Sequence, residues 1–113
     1  MTQPKKIHIA LGVRDPDASV PEYSQRLAAA PVAHIRGEYA LWRTEQVNFS
    51  IRRALPEQVG LRHLGWEDPT AESFSQSVDL NGILWERFTP TQQLDEIAAA
   101  WPATMNEGDR TRS

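Results

Sequence analysis

Two of the three histidines in this 113-residue chain begin short segments that resemble each other. His8 begins HIALGVRD and His63 begins HLGWED, and each segment passes through small and apolar residues to an Asp that is followed directly by Pro. Imidazole is a common metal ligand and an acid–base group near neutral pH. A single histidine on a strand is more often packed or hydrogen-bonded than ligating, but a matched pair favours a shared site.

The composition excludes several other kinds of chemistry. The chain has no cysteine, which rules out disulfides, thiolate metal sites and cysteine nucleophiles. Its 12 basic and 15 acidic residues give a net charge of -3, so no basic face for nucleic acid is predicted. No stretch approaches the roughly 20 apolar residues of a membrane span, and the N-terminus lacks the features of a signal peptide. We therefore expect a soluble, cytoplasmic domain that contacts neither nucleic acid nor membrane.

The segment that carries His8 has the pattern of a strand followed by a helix. Residues 6–13 alternate between an apolar face and a face that carries His8, which predicts a β-strand. After the cap residues DPDAS, Val20 to about Ala30 has helical spacing, with Pro21 in the first turn. Three further strands are predicted at about Val32–Arg36, Tyr39–Arg43 and Val47–Arg52.

The same order begins again at the second histidine. Leu61–Glu67 predicts a strand and Ala71–Val78 predicts a helix, in which Phe74-Ser75-Gln76 matches Tyr23-Ser24-Gln25 of the first helix. We interpret this echo as an internal duplication.

The second copy is shorter than the first and is followed by another helix. Asp79–Phe88 has the pattern of a turn and one strand, where the first copy has three strands. Thr89-Pro90-Thr91-Gln92 has the residues of a capping box, which predicts a C-terminal helix. We expect one domain at residues 1–102, followed by a polar tail at 103–113. The domain consists of a first module at about 6–54, a second module at about 60–88 and a helix at about 90–101.

A duplicated unit with histidine in the first strand of each copy resembles the vicinal oxygen chelate superfamily, which includes glyoxalase I, extradiol dioxygenases and bleomycin-resistance proteins. The segments that carry the resemblance are IHIALGVRD, YALWRTEQVNFSIRR, LRHLGWED and DLNGILWERF. The last is similar to the family's closing motif, Asp-Pro-x-Gly-x-x-Trp-Glu-x-Phe. Together they span most of residues 6–88. The resemblance implies an α+β fold of two βαβββ modules, here with the second module truncated and a C-terminal helix added.

The resemblance also implies a metal site. The family's ligands correspond to His8, His63 and Glu86, and two imidazoles with one carboxylate form the facial triad typical of non-haem Fe(II). Similar ligand sets hold other metals, so the expected cofactor is one divalent ion, Fe, Mn, Ni or Zn. From the residues alone, Glu86 could instead be an exposed strand carboxylate that pairs with Arg87 or Arg43.

Three departures from the family pattern limit what the resemblance implies. The hairpin before the closing strand is missing, which could leave an open cleft, a site completed by a second subunit or a collapsed relic. The fourth strand of the first copy offers Asn48, Ser50 and Arg52 where many members have a carboxylate, so we expect three ligands rather than four. Without cysteine, the substrates of the organoarsenical-cleaving members are excluded.

Four residues are candidate contacts to a small-molecule substrate: Tyr39, Asn48, Ser50 and Arg52. The last three are predicted to point toward the cavity, where Arg52 could clamp a carboxylate or phenolate. Tyr39 could donate a hydrogen bond to an oxygen atom at the metal. All four could equally face solvent. His34 is expected on a middle strand, as a structural or surface residue. The four tryptophans are expected in the core or a pocket wall: Trp42, Trp66, Trp85 and Trp101.

Two functions are compatible with these observations. One is a metal-dependent enzyme of the glyoxalase or dioxygenase type, in which the ion acts as a Lewis acid on a small substrate with two adjacent oxygens. The other is a non-catalytic protein that binds a small molecule in the groove of a homodimer, as bleomycin-resistance proteins do. Metal binding distinguishes them, and fold resemblance alone does not.

Overall fold

Seven strands and two helices make up the described part of the chain. The computed structural model describes residues 5–102, so the predicted polar tail at 103–113 lies outside the described residues. The elements are β1 (Lys6–Val13), α1 (Pro16–Leu27), β2 (Ala33–Ile35), β3 (Tyr39–Arg43), β4 (Val47–Arg53), β5 (Gly60–Glu67), β6 (Ser75–Val78), β7 (Leu84–Phe88) and α2 (Pro90–Ala100), with a 3₁₀ turn at Pro56–Gln58. The protein is an α+β domain built on one mixed sheet.

The strands form a single sheet in the order β2-β3-β4-β1-β5-β7-β6. β1 and β5 are antiparallel neighbours at its centre. β1 pairs in parallel with β4, and β5 pairs in parallel with β7. The outer pairs, β3 with β4 and β6 with β7, are antiparallel. The strand that opens each half of the sheet therefore lies beside the strand that closes it.

The predicted alternation in β1 and β4 is confirmed, and it separates two kinds of face. On one face α1 packs against a core of Val13, Ala40, Trp42 and Ile51. The opposite face carries His8, Asn48 and Ser50, all buried. α2 covers this second face, where Ile97 packs with Ile35, Tyr39 and Leu41. The polar side chains thus lie under a helix rather than in open solvent.

The first helix begins earlier than its apolar spacing predicts. Asp15 caps it, because its side chain accepts a hydrogen bond from the amide of Ala18 at 3.2 Å, and Pro16 occupies the first helical position. The helix ends at Leu27, since Ala28 adopts a left-handed conformation with φ of 53°. Pro21 consequently lies inside the helix and not in its first turn.

The predicted helix at Ala71–Val78 is wrong. Ser75–Val78 is strand β6, which pairs with β7 in a hairpin. The turn is fixed by Asp79, whose Oδ1 accepts hydrogen bonds from the amides of Asn81 and Ile83, and by Gly82, whose φ is 80°. Serine has low helix propensity, so a cross-strand partner outweighs the weak apolar spacing of this segment.

The C-terminal helix agrees with its prediction. Thr89 accepts from the amide of Gln92, and the Gln92 side chain accepts from the amide of Thr89, which completes the capping box. Within residues 5–102, neither helix has the length and apolar character needed to cross a bilayer.

Candidate metal centre

Three neighbouring strands bring His8, His63 and Glu86 to one point on the face covered by α2. His8 on β1 is opposite Gly65 on β5, and Gly65 is in turn opposite Glu86 on β7. His63 lies two residues before Gly65, so its side chain is on the same face. The register of the sheet, rather than any loop, therefore assembles the three side chains.

The three side chains converge at distances that suit a shared ion. The Nε2 atoms of His8 and His63 are 3.0 Å apart, and Oε1 of Glu86 is 3.0 Å from Nε2 of His63 and 3.8 Å from Nε2 of His8. A circle through three atoms at these spacings has a radius of about 1.9 Å, so a point about 2.1 Å from each lies just outside their plane. That is the length of metal–nitrogen and metal–oxygen bonds. His8, His63 and Glu86 could therefore hold a metal ion.

Without an ion, the same contacts can be made by one proton. A proton on Nε2 of His63 can be shared between Nε2 of His8 and Oε1 of Glu86, which explains why buried nitrogens approach so closely. An ion at this point takes the place of that proton, because a ligating nitrogen must present its lone pair.

Gly65 allows β7 to come close to β5 at the site. A Cβ atom at this position would collide with the carbonyl oxygen of Glu86 and would lie 3.0 Å from its backbone nitrogen and carbon. These are backbone atoms, which cannot turn aside as a side chain can. Any larger residue at 65 must therefore push β7, and Glu86 with it, away from the two histidines.

A buried chain of hydrogen bonds fixes the orientation of His8. Nδ1 of His8 is 2.8 Å from Oδ1 of Asn48. The side-chain nitrogen of Asn48, Nδ2, donates to Oε1 of Glu67 at 2.9 Å and to Oε1 of Gln93 at 2.8 Å. Arg43 in turn donates to both oxygens of Glu67, at 2.7 and 2.8 Å.

This series of hydrogen bonds also determines the tautomer of His8. An ionised Glu67 can only accept, so the nitrogen of the Asn48 amide must face it and the oxygen must face His8. Nδ1 of His8 therefore carries the proton and donates, which leaves the lone pair on Nε2 directed at His63 and Glu86. The hydrogen bond fixes this ring in the form that a metal ligand needs.

The electrostatics of His8 and Glu86 favour the same forms. Burial lowers the pKa of His8, and the Asn48 hydrogen bond only partly opposes it. Burial alone would raise the pKa of Glu86, but hydrogen bonds from His63 and Gln76, with the charge of His63, lower it overall. A neutral imidazole and an ionised carboxylate are the forms that bind a metal.

A cavity of about 170 Å³ opens beside the triad, and we call it the inner cavity. Three of the four predicted substrate contacts, Tyr39, Ser50 and Arg52, line it. Burial raises the pKa of Tyr39 to about 12, so its hydroxyl keeps its proton and can donate a hydrogen bond. An engineered cavity of about 150 Å³ is known to hold benzene, so the inner cavity accommodates roughly one ring or a short chain.

Asn48 is placed differently from its prediction as a substrate contact. It is fully buried behind His8, and all its polar atoms are engaged with His8, Glu67 and Gln93. It does not line the inner cavity. The alternation correctly predicts the face of Asn48, but it cannot reveal that α2 supplies a partner that seals the side chain from the cavity.

Sequence reasoning missed Arg62, which lines the inner cavity beside its neighbour His63. Consecutive strand residues normally point to opposite faces. Here the register between β1 and β5 shifts, because Ala10 is opposite His63 and Leu11 is opposite Leu61. Arg62 is the extra residue of a β-bulge, a feature that redirects side chains. Partial desolvation at the cavity wall and the charge of Arg52 lower the pKa of Arg62.

The other expected structural roles are mostly confirmed. His34 lies on β2, where its Nε2 is 2.8 Å from Oδ1 of Asp17. Trp42 is fully buried and Trp101 lines the inner cavity, but the prediction for Trp66 is wrong because it is 39% exposed. The alternative partners for Glu86 are engaged elsewhere: Arg43 pairs with Glu67 and Arg87 pairs with Asp68.

Comparison with known proteins adds information on the fold alone. No family model and no curated protein match this chain. Among solved structures, the crystal structure of the NAD-dependent benzaldehyde dehydrogenase from Legionella pneumophila is similar, with a TM-score of 0.51 and 13% sequence identity over 74% of this chain and 97% of that chain. At this identity the similarity concerns the path of the backbone and does not extend to activity.

Proposed function

We propose that this protein binds one divalent metal ion through His8, His63 and Glu86 and acts on a small substrate that chelates the ion with adjacent oxygen atoms. The observation that carries the proposal is the convergence of two imidazole nitrogens and one carboxylate oxygen around a point about 2.1 Å from each. Three protein ligands leave coordination positions free for a substrate. Fe, Mn, Ni and Zn are all compatible with this ligand set.

The pairing at the centre of the sheet supports the proposal of two related modules. His8 is opposite Gly65, two residues beyond His63, and His63 is opposite Ala10, two residues beyond His8. This reciprocal pairing is what a twofold axis between β1 and β5 would produce. β6 and β7 then correspond to β3 and β4, and the second module lacks counterparts of α1 and β2.

The same correspondence supports a three-ligand site of the vicinal oxygen chelate type. Ala10 is opposite Ser50 in the first half, just as Gly65 is opposite Glu86 in the second. Ser50 thus occupies the position related to that of Glu86, and it cannot supply a second carboxylate. A glyoxalase-type or dioxygenase-type activity with three ligands fits this arrangement.

The chain's own residues would bind and orient the substrate. When bound, the ion would act as a Lewis acid on the chelating oxygens. Asn48 holds His8 in its ligating tautomer, and Tyr39 retains a proton that it can donate in a hydrogen bond. α2 covers the face above the triad, with Gln93 and Trp101 on the wall of the inner cavity, and so limits the access of water.

A second candidate is a non-catalytic binding protein in which two copies of the chain enclose a small molecule. The observation that favours it is the open edge of the sheet: all four residues of β6 are exposed, and Leu80 beside it is 98% exposed. A second copy of the chain could cover this edge and complete the wall of the binding site, so this candidate is a homodimer. Such a protein would not need an ion at the triad.

Metal content is the test that separates the two candidates. Wild type, His63→Ala and Glu86→Ala would be purified without chelators, reconstituted anaerobically with Fe(II), Mn(II), Ni(II) or Zn(II), desalted and analysed by elemental mass spectrometry. His34→Ala is the matched control, because His34 is on β2 and pairs with Asp17. We expect about one equivalent in wild type and His34→Ala and loss in the other two variants. Equal content in all four proteins would contradict the proposal.

A further inference from the structure

A second cavity adjoins the metal centre, and we call it the outer cavity. It is larger than the inner cavity, about 660 Å³, and its walls include Arg53, Gln58, Leu61 and Leu84. Arg52, Arg62 and His63 line both cavities. A molecule whose one end lies at the triad can therefore extend past these two arginines into the outer cavity.

Arg52 and Arg62 differ from four of the six other arginines within residues 5–102, because those four form ion pairs. Arg26, Arg43, Arg53 and Arg87 each form an ion pair with a carboxylate. No carboxylate within residues 5–102 lies within 4.0 Å of the charged nitrogens of Arg52 or Arg62. The acidic residue that α2 contributes to the inner cavity, Glu96, also lies beyond this distance.

The backbone places the two arginines on either side of one glycine. Gly12 on β1 is opposite Arg52 on β4 and opposite Gly60 on β5, next to the bulge that carries Arg62. A Cβ atom at Gly12 would lie 3.6 Å from Cγ of Arg62 and 2.7 Å from the carbonyl oxygen of Gln58. The clash with Gln58 requires glycine at position 12, and the stem of Arg62 lies in van der Waals contact with this position.

Arg52 is held in place by an aromatic ring. Its guanidinium carbon lies 5.0 Å from the centre of the Trp101 ring, which is itself 5.0 Å from the ring of Tyr39. A cation–π contact uses the face of the guanidinium and none of its N–H donors, so these donors can bind another group. A planar fork of donors beside a second guanidinium is suited to the oxygens of a carboxylate or a phosphate.

We infer that Arg52 and Arg62 bind an oxyanion, a carboxylate or a phosphate, at the end of the substrate remote from the metal. The substrate would then consist of a small chelating head of about one ring in the inner cavity and an anionic tail that extends into the outer cavity. This inference rests on the proposed function for the position of the head. The apolar side chains of Leu61 and Leu84 would contact the segment between the two ends.

The test uses catechols that share one chelating head and differ in the tail. Catechol has no tail, dihydrocaffeate has a carboxylate, and dopamine has an ammonium group. Binding to the Zn(II)-loaded full chain would be measured by calorimetry for wild type, for the double variant Arg52→Gln and Arg62→Gln, and for Arg14→Gln. Arg14 is the matched control, because it is exposed and its change removes one charge elsewhere.

In wild type we expect dihydrocaffeate to bind about tenfold more tightly than catechol, and dopamine to bind more weakly than catechol. The double variant should bind all three within about threefold while it retains its zinc, and Arg14→Gln should behave as wild type. Inhibition of dihydrocaffeate binding by inorganic phosphate or by malonate decides which oxyanion the pair prefers. Equal binding of dihydrocaffeate and dopamine by zinc-loaded wild type would overturn the inference.

A second measurement separates this inference from the metal proposal. Malonate and phosphate would be titrated into metal-free protein while the arginine Nε–H resonances are followed by NMR. Saturable shifts in wild type that vanish in the double variant would support the oxyanion site even if the triad binds no metal. If the triad binds zinc but no such shifts occur and the catechols are not distinguished, the oxyanion inference fails and the metal proposal stands.

Discussion

The two halves of the sheet differ sharply in how well they are covered. In the first half, β1 to β4, both faces are packed: α1 covers Trp42 and Ile51, and α2 covers Tyr39 and Leu41. In the second half, β5 to β7, the outermost strand is wholly exposed and Trp66 is partly so. Yet the second half supplies two of the three candidate ligands, His63 and Glu86.

This difference indicates a division between stability and function. The first half buries the larger core and holds His8 in place through Asn48, so it is the more stable part of the sheet. The hairpin of β6 and β7 has less buried surface to hold it, and segments of this kind open locally more easily. An ion shared between the halves would connect them and stabilise the weaker one by mass action.

The largest expected effect comes from removing the core of the first half. Trp42 is fully buried between α1 and the sheet, so Trp42→Ala should lower the free energy of unfolding by about 3–5 kcal/mol. Trp66→Ala removes the same side chain from the second half, where it is 39% exposed, and should lower it by about 1–2 kcal/mol. Urea denaturation followed by circular dichroism measures both. Similar losses would remove the contrast between the halves.

Gly65→Ala should damage the metal centre more than the fold. The new methyl group must displace the backbone at Glu86, so we expect metal affinity to fall by at least about 100-fold. Gly37→Ala is the control, because Gly37 also resists substitution, with φ of 75°, but lies in the turn before β3. It should lose some stability and keep its metal. Competition with a chromogenic chelator gives both affinities, and an unchanged value for Gly65→Ala would show that β7 can move without loss of the site.

Asn48→Ala tests the link from the first half to the site. Without the side-chain amide, Nδ1 of His8 keeps only the backbone carbonyl oxygen of residue 48, 3.2 Å away, as an acceptor. The tautomer is then held less firmly, so metal affinity should fall by about tenfold. Nitrogen-15 NMR of the His8 ring in the metal-free protein reports the tautomer directly. The proton should reside on Nδ1 in wild type and redistribute in the variant, whereas a purely structural role for Asn48 would leave the tautomer unchanged.

These predictions also show what the sequence could and could not reveal. The resemblance to the vicinal oxygen chelate superfamily implied His8, His63 and Glu86 as a set, and the structure brings these three side chains together. The role of Asn48 was not predictable, since it depends on Gln93 from a helix 45 residues away. Nor was the position of Arg62, because a bulge breaks the alternation without leaving a mark in the sequence. β6 was predicted as part of a helix, because Phe74-Ser75-Gln76 matches Tyr23-Ser24-Gln25 of the first helix.

The smallest expected effect is a dependence of stability on pH. Burial opposes ionisation of Glu67, but Arg43 and Asn48 lower its pKa below the ordinary 4.5. A group whose pKa is lowered by folding stabilises the protein above its unfolded pKa, and this stability is lost as the pH falls through the folded value. At pH 7, Glu67→Gln should therefore have a free energy of unfolding about 1 kcal/mol lower than wild type, and it should unfold at a lower temperature. The difference should shrink below about pH 4, and thermal denaturation of metal-free protein measures it.

The most direct test of the central claim is a crystal structure of the zinc-loaded protein with anomalous diffraction data collected at the zinc edge. The account predicts one strong peak about 2.0–2.2 Å from Nε2 of His8, Nε2 of His63 and Oε1 of Glu86, with the remaining coordination positions filled by non-protein ligands. A zinc peak at other residues, with His63 still hydrogen-bonded to both His8 and Glu86, would contradict it.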